Sequence, residues 1–519
     1  MITSALMMLA LIAGRTGTGD PAEIFREKDP NDDLVIHGQL RLRTALFNNL
    51  DLGRGDSPTT GEPLFDPGTV LGGDARLRLT PSFFIGDELR TYMDLDVANA
   101  SLGPAPNGVP WTPAHNAAAL RFLDLRAIGV DWLLPMGVLS IGRMPSHFAL
   151  GIAANDGAAL DDDFGDRADR VAVVLPLYGL LFAGAFDVLD HALDDDAIPS
   201  IGEQAATVAF MKWRAPWEIE LYRSAGRPVF DYGLALSYEW SSKSAPGPAA
   251  FIDASLHPDD LAVHRDAHLA VADGWVRFVS GGIRLEGEGM ASDLRIEDPS
   301  TIAGVNIRAP IVGNPAAFAL ILDARLLDDA ASGSSATTGM HASLEVGAAS
   351  ADPAPGFPFS APPGSKDAQP VYTGAQPGDV FGPQVDLKHL GDDRFDSARI
   401  HPLHRIDLIL WRTLLGGVSE AAYARARVEG SPLSWLHLDG NLVYSQALSA
   451  DSAPGGAAPL GVEADVGAEA FLPGALNGAS VRVDAGNLVP LGGLGVRGGP
   501  AMTTANWAQM MLVRFGYAL

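Results

Sequence analysis

Two pairs of arginines are spaced so that they could form a charged surface. Arg41 and Arg43, and likewise Arg76 and Arg78, are separated by one residue within stretches that alternate apolar and polar residues. Successive side chains of a β-strand point to opposite faces, so each pair lies on one face of its strand. The next candidate strand adds charged residues on one face: Arg90, Asp94 and Asp96. A ladder of guanidinium groups opposite carboxylates would set up a transverse field that favours polar solutes. The alternative is the wet face of a sheet, neutralised by Asp74 and Glu88.

An acidic run suggests a second kind of chemistry. The run contains Asp161, Asp162, Asp163 and Asp166. Closely spaced carboxylate oxygens suit calcium, which makes these four residues calcium candidates. Their spacing does not match the twelve-residue loop of an EF-hand, and acidic runs in surface loops are commonly just solvated. No cofactor is expected.

Histidines offer two further candidate sites. One long loop contains a cluster suited to metal binding: His389, Asp392, Asp393, His401 and His404. His437 and Asp439 share a face of one candidate strand, as a barrel enzyme would require near its rim. No nucleophile motif accompanies them, and the chain has no cysteine. We therefore expect no enzyme activity, and polar wall residues are the simpler interpretation.

The elements that would position these residues are short alternating strands. The end of the chain, residues 507–519, shows the pattern most clearly, because one face carries Met511, Val513, Phe515, Tyr517 and Leu519. We interpret these five residues as a C-terminal signal for assembly of an outer-membrane barrel. The same pattern predicts nineteen candidate strands: 34–47, 74–80, 88–98, 120–130, 138–143, 169–175, 180–189, 205–213, 230–241, 267–279, 283–290, 316–327, 342–348, 405–413, 419–428, 436–444, 462–470, 480–488 and the terminal strand. A short helix is expected near residues 217–223.

Long and short connections alternate between these strands. Outer-membrane barrels show this asymmetry, with long surface loops at one end and short periplasmic turns at the other. The sequence therefore predicts an all-β fold, a transmembrane antiparallel β-barrel. Bacterial barrels have even strand numbers, so one of the nineteen candidates must be wrong or one strand missing. We predict eighteen strands, with sixteen as the next choice.

Composition supports this fold class. Apolar residues make up 47% of the 519 residues, yet no run approaches the eighteen or so apolar residues of a membrane-spanning helix. The formal net charge of -27 argues against nucleic acid as a partner. Residues 1–14 resemble a signal peptide and 15–33 a flexible segment, which leaves 34–519 as one barrel domain. Its long loop, 351–405, would be an extracellular loop or a plug of the lumen.

Several stretches together resemble a myxobacterial-type family of uncharacterised porin-like outer-membrane β-barrel proteins. They are 72–81 (GGDARLRLTP), 142–145 (GRMP), 155–157 (NDG), 162–166 (DDFGD), 169–170 (DR), 227–229 (RPV), 232–233 (YG), 273–275 (DGW), 344–347 (LEVG), 407–412 (DLILWR) and 444–448 (YSQAL). The resemblance implies the barrel and its place in the bacterial outer membrane, but it supplies no catalytic residues.

These observations predict a porin-like channel for passive diffusion of small hydrophilic solutes. Outer-membrane lipid and the barrel-assembly machinery would be its partners, and a homotrimer is left open. Three alternatives also stay open: a plugged, non-conducting barrel with a structural or surface-interaction role, a barrel enzyme, and a soluble secreted β-protein. The arginine ladder favours anions and the net charge favours cations, so selectivity is undecided at this point.

Overall fold

The structure, a computed structural model, describes most of the chain from residue 33 onward. The described residues are 33–50, 52, 69–102, 123–163, 165–189, 203–241, 266–297, 310–327, 339–351, 396–450, 453, 455–473, 478–495 and 506–518. The expected signal peptide falls outside them, as do the flexible segment up to residue 32 and most of the predicted long loop.

Nineteen strands form one antiparallel sheet. They are β1 (Leu34–Asn48), β2 (Thr69–Ile85), β3 (Leu89–Leu102), β4 (Asp124–Leu134), β5 (Gly137–Pro145), β6 (Arg167–Leu177), β7 (Leu180–Leu189), β8 (Glu203–Lys212), β9 (Val229–Ser241), β10 (Ala267–Ser280), β11 (Ile283–Ile296), β12 (Ile311–Gly313), β13 (Ala316–Leu327), β14 (Met340–Ala349), β15 (Ala421–Leu433), β16 (Leu436–Ala447), β17 (Pro459–Phe471), β18 (Ala479–Pro490) and β19 (Ala508–Ala518). An α-helix, α1 (Pro216–Ser224), follows β8 and confirms the predicted short helix.

The sheet closes on itself because β1 pairs with both β2 and β19. Leu40 of β1 lies opposite Leu77 on one side and Tyr517 on the other. The three-residue strand β12 pairs only with the end of β11, which otherwise pairs directly with β13. The wall therefore contains eighteen strands, and both the fold class and the strand number predicted from the sequence are confirmed.

One predicted strand is wrong. Residues 405–413 were expected to form a wall strand, but they lie in a turn inside the barrel, with a short π-helix at Leu410–Leu414. The alternation of apolar and charged residues there has another cause. The apolar side chains of Leu408 and Trp411 are buried in the barrel interior, and side-chain carboxylates accept hydrogen bonds from the local backbone N–H groups.

The connections alternate in length as predicted. At one end of the barrel, short turns join β4 to β5, β6 to β7, β10 to β11 and β15 to β16, each with two residues between the strands. The connections at the other end are longer, and two of them turn into the barrel. We name residues 146–166 the first inward loop and residues 396–420 the second inward loop.

Apolar side chains cover the outside of the wall. On β9, Phe230, Leu236 and Tyr238 are exposed, whereas Asp231 and Glu239 on the alternate face are buried. Aromatic rings cluster at both ends of the same strand, as an interfacial girdle requires: Phe230 with Tyr232 at the turn end, and Tyr238 with Trp240 at the loop end. An apolar outer band between two aromatic zones is the surface that a membrane-spanning barrel presents to lipid.

The terminal strand follows the same rule. Met511 is 44% exposed on the outer face, while Met510 and Leu512 are buried inside. Leu519 lies outside the described residues. Within the described part of the chain, no helix is both long and apolar enough to cross a membrane.

Candidate functional site

The four ladder arginines all lie on the inner face of β1 and β2. They are Arg41, Arg43, Arg76 and Arg78, and each is no more than 3% exposed. Arg41 lies directly opposite Arg76 in the sheet. Two carboxylates of the wall reduce the repulsion between these positive charges. Asp74 pairs with Arg41 at 3.0 Å and with Arg43 at 2.8 Å, and Asp96 pairs with Arg78 at 2.8 Å.

The remaining predicted pore-lining residues continue this network along β3. Asp94 lies 3.8 Å from Arg78 and 3.7 Å from Arg126 of β4. Arg90 lies towards the turn end of β3, donates to the Ser82 hydroxyl and packs over the Tyr92 ring. The predicted residues therefore share one face of neighbouring strands, but they are covered and do not line an open surface.

The first inward loop provides the cover. Arg76 donates to the carbonyl oxygens of Leu160 and Asp162, and Arg41 donates to that of Asp162 at 3.2 Å. Arg78 donates to the carbonyl oxygen of Gly157 at 2.8 Å. Carbonyl oxygens satisfy guanidinium donors without adding charge, so these arginines hold the loop against the β1–β3 wall.

The tip of the same loop reaches a different part of the wall. The backbone N–H of Leu150 donates to the carboxylate of Glu288 on β11. The base of the loop is closed by a hydrogen bond from the Ser146 N–H to the Asp166 carbonyl oxygen, 2.8 Å long. The first inward loop therefore extends across the interior from β1–β3 to β11.

The acidic run is bound by arginines. Asp161 lies 2.6 Å from Arg412, 2.9 Å from Arg405 and 3.2 Å from Arg43. Burial alone would raise the pKa of the Asp161 carboxyl. The guanidinium groups of Arg412, Arg405 and Arg43 outweigh that effect and hold this pKa well below its usual range.

Asp163 is held in the same way, by Arg43 at 2.6 Å and by Arg41 at 2.8 Å. Burial opposes ionisation of Asp163 as well, yet Arg43 and Arg41 lower its pKa. Asp162 differs, because burial raises its pKa and its carboxylate accepts the N–H of Ala159. Arginines therefore favour the ionised form of Asp161 and Asp163, whereas burial disfavours the ionised form of Asp162 between them.

The calcium hypothesis gains no support from this geometry. Arginines occupy the oxygen atoms of Asp161 and Asp163, and Asp166 accepts the N–H of Asn155 and lies 3.2 Å from His401. Across the described residues, no group of three or more His, Cys, Asp or Glu side chains is arranged to hold a metal ion.

The second inward loop is held by carboxylates that the sequence analysis missed. The Glu463 side chain on β17 accepts hydrogen bonds from three consecutive backbone N–H groups, those of Leu408, Ile409 and Leu410. Asp407 accepts the N–H groups of Trp411 and Arg412. An alternating strand pattern places Glu463 on the inner face, but it gives no sign of which loop that face will meet.

Two histidines join the inward loops to each other and to the wall. The backbone N–H of His401 donates to the backbone carbonyl oxygen of Ile152 at 2.7 Å. His404 lies 2.8 Å from Glu345 on β14, and its other ring nitrogen is 3.4 Å from the Leu150 carbonyl oxygen. His401 and His404 therefore contact different carboxylates, and the other members of the predicted metal cluster fall outside the described residues.

The pair expected of a barrel enzyme does not form. His437 contacts the Ser431 hydroxyl at 3.1 Å, while Asp439 pairs with Arg482 at 2.8 Å. Both residues belong to the polar inner wall.

Charged side chains reach solvent on the side of the interior formed by β15–β18. Arg427 and Glu429 of β15 form an ion pair whose side chains are 32% and 31% exposed. Arg482 of β18, with Asp439 and Asp484, is 18% exposed. The interior is therefore covered along β1–β3 and more accessible along β15–β18.

Comparison with known proteins gave structural matches only. No protein-family model matches the chain, and no curated protein matches it. Among solved structures, OpdL of Pseudomonas aeruginosa is 12% identical, with a TM-score of 0.47 over 94% of this chain and 99% of the other. The outer membrane protein OpdK of Pseudomonas aeruginosa is 13% identical, with a TM-score of 0.45 over 93% and 98%. OmpT, an outer membrane protein of Vibrio cholerae, is 9% identical, with a TM-score of 0.39 over 94% and 98%. Similarity this low assigns no solute or activity to the chain.

Proposed function

We propose that the chain forms a porin-like channel in a bacterial outer membrane, through which small hydrophilic solutes diffuse passively. The observation that supports this most directly is the closed wall of eighteen strands, apolar outside and charged inside. Barrels of 16–18 strands enclose an aqueous space unless something fills it. The chain is proposed to carry no enzyme activity, because His437 and Asp439 serve separate partners.

The proposed solute path runs along β15–β18. The ladder arginines on β1 and β2 are bonded to the first inward loop, so a passing solute does not meet them. Arg427, Glu429 and Arg482 are partly exposed charged groups along this path. Their alternating signs would orient polar solutes without excluding either ion class.

Planar bilayer recording tests this function. Stable stepwise currents from the refolded protein are expected, and Arg427→Gln should shift the reversal potential in a salt gradient towards cations. Arg223→Gln provides the matched control, because Arg223 lies on α1, away from β15–β18, and pairs with Glu220. Equal shifts in both variants would contradict the proposed path.

A second candidate is a plugged barrel with a structural or surface role. The near-complete burial of Arg41 and Arg76 beneath the first inward loop favours it. Vesicle flotation and protease protection would first show that the protein is inserted. The absence of current from the inserted protein would then support the plugged barrel and reject the channel. The trimer remains a prediction, which cross-linking in native membranes would test.

A further inference from the structure

Three carboxyl groups meet where the second inward loop contacts the wall. Glu463 is 1% exposed and Asp407 is 7% exposed. Asp465, two residues after Glu463 on the same face of β17, lies beside both of them. One oxygen of Asp407 and one of Asp465 are buried without a hydrogen-bond partner.

Backbone N–H groups supply most of the compensation for these carboxyl groups. Three N–H groups point at Glu463 and two at Asp407. Within the described part of the chain, no lysine, arginine or histidine forms an ion pair with any of the three. Five N–H dipoles do not balance three full negative charges in a buried site.

The nearby guanidinium group of Arg425 is bound to other residues. Arg425 of β15 donates to the Glu345 carboxylate at 3.0 Å and to the side-chain amide oxygen of Asn441 at 2.8 Å. Asn441 in turn donates to Asp465 at 3.2 Å and to the Ile406 carbonyl oxygen at 2.7 Å. Arg425 therefore reaches the cluster only through an amide, while Asp484, farther along the wall, adds negative charge from the other side.

We propose that Glu463 and Asp407 position the second inward loop, and that a proton held within the Asp407–Glu463–Asp465 cluster makes docking of this loop depend on pH. The docked arrangement needs fewer than three charges in the cluster. Loss of the proton places a third negative charge in the cluster beside the two already there. The resulting repulsion weakens the docking of residues 408–412 against the wall. The loop docking does not require conduction, whereas its effect on current rests on the proposed channel.

The direction of the pH effect follows from Asp407. Burial, followed by the neighbouring Asp465 carboxylate, raises the pKa of Asp407 to about 7. In an undocked, solvated loop this carboxyl would ionise near its ordinary value, about 4. The docked state therefore retains a proton that the undocked state has lost, and docking weakens as pH rises between those two values.

Amide hydrogen exchange of the full-length protein in lipid vesicles tests the inference directly. After correction for intrinsic exchange, protection of the 408–412 amides should fall about tenfold or more from pH 5 to pH 8. Asp407→Asn should retain the acceptor for Trp411 and Arg412 but remove most of this pH response. Glu463→Gln should lower protection at every pH, because one of its two acceptor oxygens is lost.

Glu469→Gln is the matched control. Glu469 lies on the same face of β17, but it pairs with Arg514 and Ser480 and not with the loop. The control should keep the wild-type pH response. Protection that is independent of pH in the wild type, or a response that survives in Asp407→Asn, would overturn the inference.

Bilayer recording then separates the two proposals. More open or noisier currents at pH 8 than at pH 5, abolished by Asp407→Asn, would support both. If the currents are independent of pH while amide exchange of residues 408–412 depends on it, the link between docking and current is rejected. If the inserted protein is silent at both pH values, the channel is rejected and exchange alone decides whether docking depends on the proton.

Discussion

At the scale of single residues, Asp161 links the two inward loops electrostatically. It contacts Arg405 and Arg412 of the second inward loop and Arg43 of the wall. Its side chain is 18% exposed, as is that of Arg405. Removing the Asp161 carboxylate therefore leaves the partly exposed Arg405 and Arg412 with less negative charge beside them.

We expect Asp161→Asn to make the channel more anion-selective. Loss of one negative charge leaves Arg405 and Arg412 under-compensated, so the anion-to-cation permeability ratio should rise about twofold or more. The measurement is the reversal potential under a salt gradient. Asp162→Asn is the control, because its carboxylate lies 3.8 Å from Arg405 and binds the Ala159 N–H. A ratio that is unchanged in Asp161→Asn would argue against this assignment.

Tyr423 illustrates a residue whose position depends on a glycine. Its ring lies over Gly347 of β14, where an added Cβ would be 2.5 Å from the ring, and its hydroxyl donates to Glu345. Gly347→Ala should therefore destabilise the folded barrel by about 1–3 kcal/mol through overpacking. Urea unfolding in lipid vesicles measures the change. Gly440→Ala is the control, since its Cβ would meet nothing closer than 4.0 Å, and an equal loss in both variants would contradict the explanation.

At the scale of elements, the first inward loop depends on one wall carboxylate at its tip. Glu288→Gln weakens the bond from the Leu150 N–H, and we expect exchange at residues 150–152 to accelerate about tenfold while the base of the loop stays protected. Hydrogen exchange of the reconstituted protein reports both regions. Glu286→Gln tests the specificity, because Glu286 lies two residues away on the same face and binds the Trp275 indole instead. Faster exchange at the loop tip in Glu286→Gln would show general loosening of β11.

The sequence predicted the wall well and the interior poorly. The bounds of 180–189 and 316–327 match β7 and β13, because lipid imposes a strict two-residue period on every wall strand. Residues 405–413 show a similar alternation for a different reason, burial against the inner wall. Periodicity cannot separate these two causes. It also cannot reveal that Glu463 and Leu408 meet, since their contact depends on how a loop fifty-five residues away turns inward.

The same limit applies to the arginine ladder. Its four arginines were correctly placed on one face, since that follows from alternation alone. Their burial was not predictable, because it depends on the carbonyl oxygens of Gly157, Leu160 and Asp162, which carry no side-chain signature. The acidic run was recognised, but its arginine partners lie on β1 and in a distant loop.

At the scale of the whole molecule, the outer surface should report its depth in the membrane. Leu442 lies near the middle of β16 and is 53% exposed on the outer face. Leu442→Arg should cost about 2–4 kcal/mol, whereas Leu433→Arg at the turn end of β15 should cost about 0–1 kcal/mol. Unfolding of both variants in vesicles gives the comparison. Equal costs would contradict the assignment of this surface to lipid.

The position of Asp161 also bears on how the molecule is assembled. β1 and β19 come from opposite ends of the chain, so their pairing is the most distant contact in sequence and is expected to form late. Asp161 lies over this junction, 3.2 Å from Arg43 on β1 and 3.9 Å from Arg514 on β19. A loop from the first third of the chain thus contacts both edges of this junction. The first inward loop would then help the two edge strands to pair when the barrel closes. Its charged residues would therefore be needed for folding as well as for permeation.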